Sequence, residues 1–192
     1  TLTGQALIAH DLCKTAYPGL AEVIAEVRRG DVALTDLETA ILTSTSGSPT
    51  REGEFLHAAG TDELRCLRAF GFDMLALANN HAWDFGSAGV LATRQAALEA
   101  GFVTAGSGVN LVEACQAARL ATPDQTVALV SMAVGKIRDG GAATATRPGI
   151  NELRLASPGV PDDSDVKRML AAIDEAAGSA KVVVCLHNHD WG

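Results

Sequence analysis

The sequence predicts an α/β fold, in which strands and helices alternate along a chain of 192 residues. Short apolar runs of strand length alternate with longer segments whose apolar residues recur at helical spacing. The chain is 47% hydrophobic, which suits one sizeable core and favours a single domain over residues 1–192. Four glycines follow the helical segments and predict left-handed helix ends: Gly30, Gly71, Gly101 and Gly178.

The predicted strands and helices alternate along the chain. Apolar runs bounded by turn residues predict strands at residues 5–9, 32–35, 74–77, 103–104, 127–132 and 181–186. Segments with helical spacing and a Pro, Gly, Asp or Ser stop signal predict helices at residues 18–29, 62–70, 87–100, 111–118 and 163–177. Two polar stretches, residues 43–50 and 136–149, predict long loops, which are commonly functional or mobile in compact domains.

Composition argues against a nucleic acid partner, a membrane-spanning segment and disulfide bonds. With 23 acidic and 15 basic residues and no basic cluster interleaved with aromatic residues, we expect no nucleic acid partner. No apolar stretch approaches the roughly 18 to 20 residues of a membrane helix, and residues 1–12 lack a charged and then apolar leader. We therefore expect a cytoplasmic protein, either free or in a membrane-associated complex. The four cysteines form no C-x-x-C pair, so we expect reduced thiols, with Cys13 in a candidate active-site loop.

The most informative segment is ALANNHAWDFG, residues 76–86. It continues an apolar run that predicts a buried strand, so its polar residues lie at the carboxyl end of a strand, where α/β enzymes place their chemistry. Amide, imidazole and carboxylate groups at this spacing are metal donors: Asn79, Asn80, His81 and Asp84. The alternative is a structural turn, in which Asp84 caps the helix that starts near Ser87.

Other polar residues follow the ends of other predicted strands. Asp11, Glu38, His187 and His189 all have this position. Because the carboxyl ends of parallel strands share one sheet edge, these residues are expected to converge with the asparagines on one crevice. Carboxylate, amide and imidazole donors together predict a divalent metal site. Taken singly, the two acids are more typical of solvated loops, and His189 is equally consistent with an exposed tail.

A cationic stretch follows the predicted strand at residues 127–132. It contains Lys136, Arg138, Arg147 and Arg154. One interpretation is a solvated surface. The functional interpretation is that Lys136, Arg138 and Arg147 hold the carboxylate or phosphate of an anionic glutamyl or peptide substrate.

The successive segments resemble the motifs of the CapA family, the poly-γ-glutamate capsule biosynthesis proteins. The segments that carry this resemblance are TGQALIAHDL, TDLETAI, ALANNHAWDFG, GSGVN, GKIR, TRPGINELR and VVVCLHNHDWG. That family is similar in fold to calcineurin-like metallophosphatases. The resemblance therefore implies a four-layer α/β/β/α sandwich with a two-metal site at its strand ends.

The resemblance also implies roles for individual residues. Asp11 matches the aspartate ligand after the first strand, and Glu38 matches the acid of an N-L-E motif that bridges the metals. Asn80 matches the asparagine ligand of an N-N-H motif, in which His81 is the catalytic acid or base. The remaining expected ligands are His187 and His189. The implied cofactors are two divalent ions of Mn, Zn or Fe.

The chain departs from the family pattern in places. Asp36 stands where the common pattern has Asn, and His10 stands where it often has Gly. Metallophosphatases supply a last pair of histidines from a later loop, yet nothing follows Gly192, so we expect this chain to be the N-terminal portion of a longer protein.

The implied function is metal-dependent hydrolysis of glutamyl or peptide amides in capsule biosynthesis or processing. Three alternatives stay open: a peptide epimerase of the lasso-peptide type, a phosphoesterase, and a non-catalytic subunit that binds capsule-synthesis proteins.

Overall fold

The computed structural model describes residues 1–52, 56–135 and 137–189. Its helices are α1 (Leu20–Val27), α2 (Thr61–Phe70), α3 (Gly86–Glu99), α4 (Leu111–Cys115) and α5 (Asp163–Ala177). Its strands are β1 (Leu2–Ala6), β2 (Leu34–Leu37), β3 (Ala40–Leu42), β4 (Ala58–Gly60), β5 (Met74–Ala76), β6 (Val103–Ala105), β7 (Ser107–Gly108), β8 (Ala118–Ala121), β9 (Thr126–Val134), β10 (Gly149–Ile150), β11 (Leu155–Ser157), β12 (Val160–Pro161) and β13 (Lys181–Asn188).

The first sheet has four strands in the order β1, β2, β5, β6, and every pairing in it is parallel. Parallel strands need crossover connections, and α1, α2 and α3 supply them. Asp36 pairs in register with Ala76, so the ends of β2 and β5 lie side by side. The segments after these two ends carry Glu38 and the N-N-H residues.

The second sheet has the order β13, β9, β8. β13 runs parallel to β9 in unbroken register, from Lys181 opposite Val127 to Asn188 opposite Val134. This sheet packs against the first through an apolar cluster that includes Met74 and Leu129, with Cys185 at its margin. The packing brings the end of β13 over the ends of β2 and β5.

Helices cover the other face of the first sheet. Buried Leu64 and Leu67 of α2 and Ala97 of α3 join Leu37 and Leu75 in one core cluster. Burial of each leucine side chain contributes about 1.5 to 3 kcal/mol. α5 contacts β9 and β13 of the second sheet. The prediction of a mixed α/β fold is therefore confirmed.

Each predicted element overlaps an observed one, but seven short strands of the described chain were not predicted: β3, β4, β7, β8, β10, β11 and β12. α5 has the predicted bounds, but β1 starts three residues before the predicted 5–9 and ends at Ala6. Gly71 and Gly101 adopt the predicted left-handed conformation, with φ of 108° and 85°. The same prediction is wrong for Gly30 and Gly178; Gly178 has φ of −62°, in the right-handed region.

The expectation that all four cysteines are reduced thiols is wrong for one pair. Cys13 and Cys66 form a disulfide across 53 residues of chain, while Cys115 and Cys185 are free. The reason is tertiary, because the turn after β1 packs on α2, where the backbone N–H of Leu12 donates to Glu63 at 2.9 Å. The disulfide ties the segment that contains Asp11 to α2.

No helix among the described residues combines the length and apolarity that crossing a membrane requires.

Candidate active site

An open cavity of about 510 Å³ lies where the ends of β2, β5 and β13 meet. Two carboxylates and four imidazoles line it: Asp36, Glu38, His57, His81, His187 and His189. The free thiol of Cys185 also faces the cavity, but burial raises its pKa to about 12. It is therefore a protonated thiol at neutral pH, and the cavity is a carboxylate and imidazole site.

Glu38 directly follows β2 and has a side chain that is 4% exposed. Its Oε1 lies 3.8 Å from Nε2 of His187 and 4.0 Å from Nε2 of His81. Its Oε2 is buried and accepts no hydrogen bond from the described residues. Burial raises the pKa of Glu38, and the neighbouring charge of Asp36 adds to this while the histidines oppose it. A buried carboxylate with an unused oxygen is a vacant acceptor for a cation.

His187 is held at both ring nitrogens. Its Nδ1 lies 2.8 Å from Oδ2 of Asp36, and its Nε2 lies 2.7 Å from Oδ1 of Asn80. Burial by itself would lower the pKa of His187, but the hydrogen bond and charge of Asp36 and the charge of Glu38 together raise it. With an acceptor oxygen at each nitrogen, the arrangement suits the doubly protonated imidazolium.

Asn79 belongs to the same hydrogen-bond network. Its Nδ2 donates to Oδ1 of Asp36 at 3.1 Å and to the carbonyl of Leu37 at 2.8 Å. Asn79 is 1% exposed, so its amide is a structural brace for Asp36.

His81 is the second imidazole near Glu38, and it pairs with Asp84. Its Nδ1 lies 2.8 Å from Oδ2 of Asp84, whose side chain has no solvent exposure. Burial would raise the pKa of Asp84, but hydrogen bonds from His81 and Arg51 outweigh it and lower the pKa. A carboxylate at Nδ1 holds the proton there and leaves Nε2 facing the cavity.

Two cations and a backbone N–H complete the surroundings of Asp84. Arg51 Nη2 donates to Oδ1 at 2.9 Å, Arg138 Nε lies 3.4 Å from the same oxygen, and His57 N donates to Oδ2 at 3.1 Å. Asp84 therefore does not cap α3, whose N-terminus has no side-chain cap. It joins the loop before β4, the N-N-H segment and the segment before β10.

The other two histidines lie against the first two. The ring of His57 meets that of His81 edge to face, with centroids 4.2 Å apart. Burial lowers the pKa of His57, which favours a neutral ring at neutral pH. The ring of His189 lies 6.3 Å from that of His187, at an interplanar angle of 24°.

The structure brings most of the predicted site residues together and leaves one apart. Glu38 and Asn80 both lie against His187, and His81 and His189 line the same cavity as Glu38. Asp11 lies outside the lining of that cavity, and its carboxylate pairs with Lys14 at 2.7 Å. The reason is that β1 ends five residues before Asp11, in a turn that the disulfide ties to α2.

The predicted substrate-binding cations have different surroundings. Arg138 is at the site, beside Asp84. Arg147 lies over the ring of Trp83, 5.9 Å from its centroid, and donates to the carbonyl of Ala142. Arg154 pairs with Asp165, away from the cavity. The prediction for Lys136 lies outside the described residues.

No site role was predicted from sequence for Asp36 or His57, both of which line the cavity. Asp36 and Glu38 are two residues apart at the end of β2, a spacing that places both side chains on one face of a strand. That alternation is a signal for Asp36. His57 had no such signal, because it precedes the short strand β4 and reaches the site only through the pairing of β4 with β3.

As it stands, the network is arranged for hydrogen bonding. No three His, Cys, Asp or Glu side chains within residues 1–52, 56–135 and 137–189 are already grouped as a metal shell. The donor types nevertheless fit a divalent cation, because Glu38 has one buried oxygen without a partner and a second oxygen near two imidazoles, and the amide oxygen of Asn80 lies beside His187. Loading would replace the proton between His187 and Asn80.

Comparison with known proteins places these residues in a family. Two relatives in Sinorhizobium fredii, both named only as uncharacterized proteins, are each 32% identical over 160 residues, which cover 79% of this chain and 35% of theirs. A Mycobacterium tuberculosis relative, named "Probable polyglutamine synthesis accessory protein", is 28% identical over 183 residues, which cover 91% of this chain and 46% of its own. The chain thus spans between a third and a half of the length of these relatives.

The sequence profile of the bacterial capsule synthesis protein family PGA_cap matches residues 1–192, the whole of the chain. This match agrees with the resemblance that the motifs carry. The chain belongs to the PGA_cap family of bacterial capsule synthesis proteins.

Proposed function

We propose that this chain forms the catalytic core of a metal-dependent enzyme that acts on glutamyl or peptide amide bonds in the synthesis or processing of a capsular polyglutamate. The observation that carries the proposal is Glu38, a buried acid. Its Oε2 has no hydrogen-bond partner among the described residues, and its Oε1 lies 4.0 Å from Nε2 of His81 and 3.8 Å from Nε2 of His187. The family name and the printed name of the mycobacterial relative support the polymer class.

The residues that would hold a divalent cation are Glu38, Asn80 and His187, with His189 beside them. They offer the carboxylate, amide and imidazole donors that Mn, Zn and Fe accept. Asp11, in its present position, would not contribute to that cation. A second ion would need Asp11 or residues from elsewhere in the protein. The two packed sheets, with helices against each, are consistent with an α/β/β/α metallophosphatase sandwich.

When bound, the cation would polarise the substrate carbonyl and stabilise the oxyanion that develops on it. The chain itself supplies proton transfer through His81. Asp84 keeps the proton on Nδ1, so Nε2 accepts a proton from an attacking water and then donates it to the leaving amine. Arg51 and Arg138 keep Asp84 ionised, so its carboxylate continues to accept the hydrogen bond from Nδ1 of His81 through both steps.

The test combines metal content and turnover. Purified chain, loaded with Mn²⁺ or Zn²⁺ and then desalted, is expected to retain metal by mass spectrometry and to shorten γ-glutamyl oligomers, followed by chromatography. Glu38→Gln is expected to lose both. Glu152→Gln is the matched control, because burial also raises the pKa of Glu152 but its side chain lies away from this cavity. Equal metal retention in wild type and Glu38→Gln would contradict the proposal.

A second candidate function is a binding subunit of a capsule-synthesis assembly, without catalysis. One observation favours it: the mycobacterial relative is named an accessory protein. A chain that stays metal-free at millimolar Mn²⁺ and Zn²⁺, yet binds γ-glutamyl oligomers in a calorimeter, would favour this function over the first.

A further inference from the structure

Asp36 joins the two sheets at the cavity. It lies on β2 of the first sheet, and its Oδ2 accepts a hydrogen bond from Nδ1 of His187 on β13 of the second sheet. The two side chains are 9% and 8% exposed, so water competes little for this contact. The bond therefore sets how the imidazole of His187 is presented to Glu38.

Both carboxylate oxygens of Asp36 are already engaged. Oδ1 accepts from Asn79 Nδ2 at 3.1 Å, and Oδ2 accepts from His187 at 2.8 Å. Asn79 is in turn anchored to the carbonyl of Leu37. Asn79 thus holds one oxygen of Asp36, and the other oxygen is aligned with one imidazole nitrogen.

The opposite nitrogen of His187 is the one that faces the proposed metal donors. Nε2 lies 2.7 Å from Asn80 Oδ1 and 3.8 Å from Glu38 Oε1. An imidazole that binds a cation through one nitrogen needs the proton on the other, and a carboxylate there fixes the tautomer and the ring orientation.

We infer that Asp36 is a positioning residue of the metal site, which acts through His187 by holding the proton on Nδ1 and turning Nε2 toward Glu38 and Asn80. The inference rests on the proposed metal binding at that site.

The substitution Asp36→Asn tests the role with little change of shape. An asparagine has one acceptor oxygen for the two donors, Asn79 Nδ2 and His187 Nδ1, so one of these bonds is lost. Loss of such an outer carboxylate typically weakens metal binding by roughly tenfold to a hundredfold. We expect this loss in the Kd for Zn²⁺ measured by competition with a chromogenic chelator.

A double-mutant cycle separates positioning from general damage. His187→Gln keeps an oxygen donor for the cation but has no Nδ1–H, so Asp36→Asn should cause no further loss of Zn²⁺ affinity in that background. The matched control is Asp165→Asn, another buried carboxylate with hydrogen-bonded partners, on α5 and outside the cavity. It is expected to lower the unfolding temperature and leave the Kd unchanged.

A metal-free readout completes the experiment. In ¹⁵N-histidine-labelled protein without metal, NMR is expected to show a proton on Nδ1 of His187. An unprotonated Nδ1, an unchanged Kd in Asp36→Asn, or additive losses in the double variant would each overturn the positioning role. A wild-type chain that binds no Zn²⁺ at all would overturn the proposed function as well, which distinguishes the two failures.

Discussion

His81 Nδ1 and Asp84 Oδ2 are 2.8 Å apart, and the aspartate of this pair is sealed from solvent. Two arginines and a backbone N–H also converge on the same carboxylate. A carboxylate with this many donors is both a stabilising centre and the orienting group for the imidazole.

Replacing Asp84 with alanine is expected to destabilise the protein strongly. Removal of one partner from a buried ion pair costs about 3 to 5 kcal/mol, because the remaining charge stays buried without compensation. Here Arg51, whose side chain is 13% exposed, and Arg138 would both lose the carboxylate of Asp84. Urea unfolding measures the loss. The control is Asp62→Ala, which removes an exposed pair with Arg65 and should change the free energy of unfolding little. Similar losses of unfolding free energy in both variants would contradict a stabilising role for the buried Asp84 carboxylate.

Glu38→Gln is expected to stabilise the metal-free protein at pH 7 while it abolishes metal retention. The pKa of Glu38 is raised in the folded state, so folding opposes its ionisation. The resulting penalty is present above the usual pKa of 4.5 and vanishes below it. Unfolding in urea with a chelator, at pH 7 and pH 4, should therefore show a gain at pH 7 only. A variant less stable than wild type at pH 7 would refute this account.

Protonation of Asp165, which lies away from the cavity, is expected to contribute to the loss of stability at low pH. Burial would raise the pKa of Asp165, but hydrogen bonds from Arg154 and Arg168 outweigh burial and lower the pKa far below its usual 3.8. A carboxyl group whose pKa is lower in the folded than in the unfolded protein adds to the free energy of unfolding at pH values above its unfolded pKa. This contribution is lost as the pH falls toward its folded pKa. The unfolding midpoint of wild type should thus fall more steeply below pH 4 than that of Asp165→Asn. If the unfolding midpoints of the two proteins depend on pH in the same way, Asp165 does not contribute to acid unfolding.

Reduction of the Cys13–Cys66 disulfide is expected to lower the free energy of unfolding. Cross-linking a loop of 53 residues restricts the unfolded chain by an amount worth about 4 kcal/mol in the chain-entropy treatment. Urea unfolding of wild type with and without a dithiol reductant measures the difference. Cys66→Ser should behave like the reduced protein, and Cys115→Ser, which removes a free thiol, should not. Thiol titration after unfolding should find two free thiols before reduction and four after it.

The parts of the site that could be predicted from sequence are those set by local pattern. Asn80 and His81 follow an apolar strand directly, and their position at its carboxyl end needs only the alternation of strand and helix. Asp36 depends on the docking of two sheets, since its partner His187 is 151 residues away. Asp11 lies outside the cavity lining because the first strand ends at Ala6, three residues before its predicted end, which leaves Asp11 five residues beyond the strand.

The disulfide was unpredictable for a similar reason. Its two cysteines meet only because the turn after β1 packs on α2, and neither the spacing nor the neighbours of Cys13 and Cys66 indicate that contact. By contrast, α5 was predicted to the residue, because Asp162 caps its start through hydrogen bonds to Ser164 and Asp165 and a glycine follows its end.

The hydrogen bond between Asp36 and His187 also orders events during folding. It closes a loop of 151 residues, and contacts between such distant segments carry a large entropy cost that is recovered only after the intervening chain has collapsed. The first sheet can align Glu38 and Asn80 by itself, whereas His187 arrives only when β13 has paired with β9 and the second sheet has docked. The cavity is therefore incomplete until the two sheets have docked, because until then His187 is missing from its polar network.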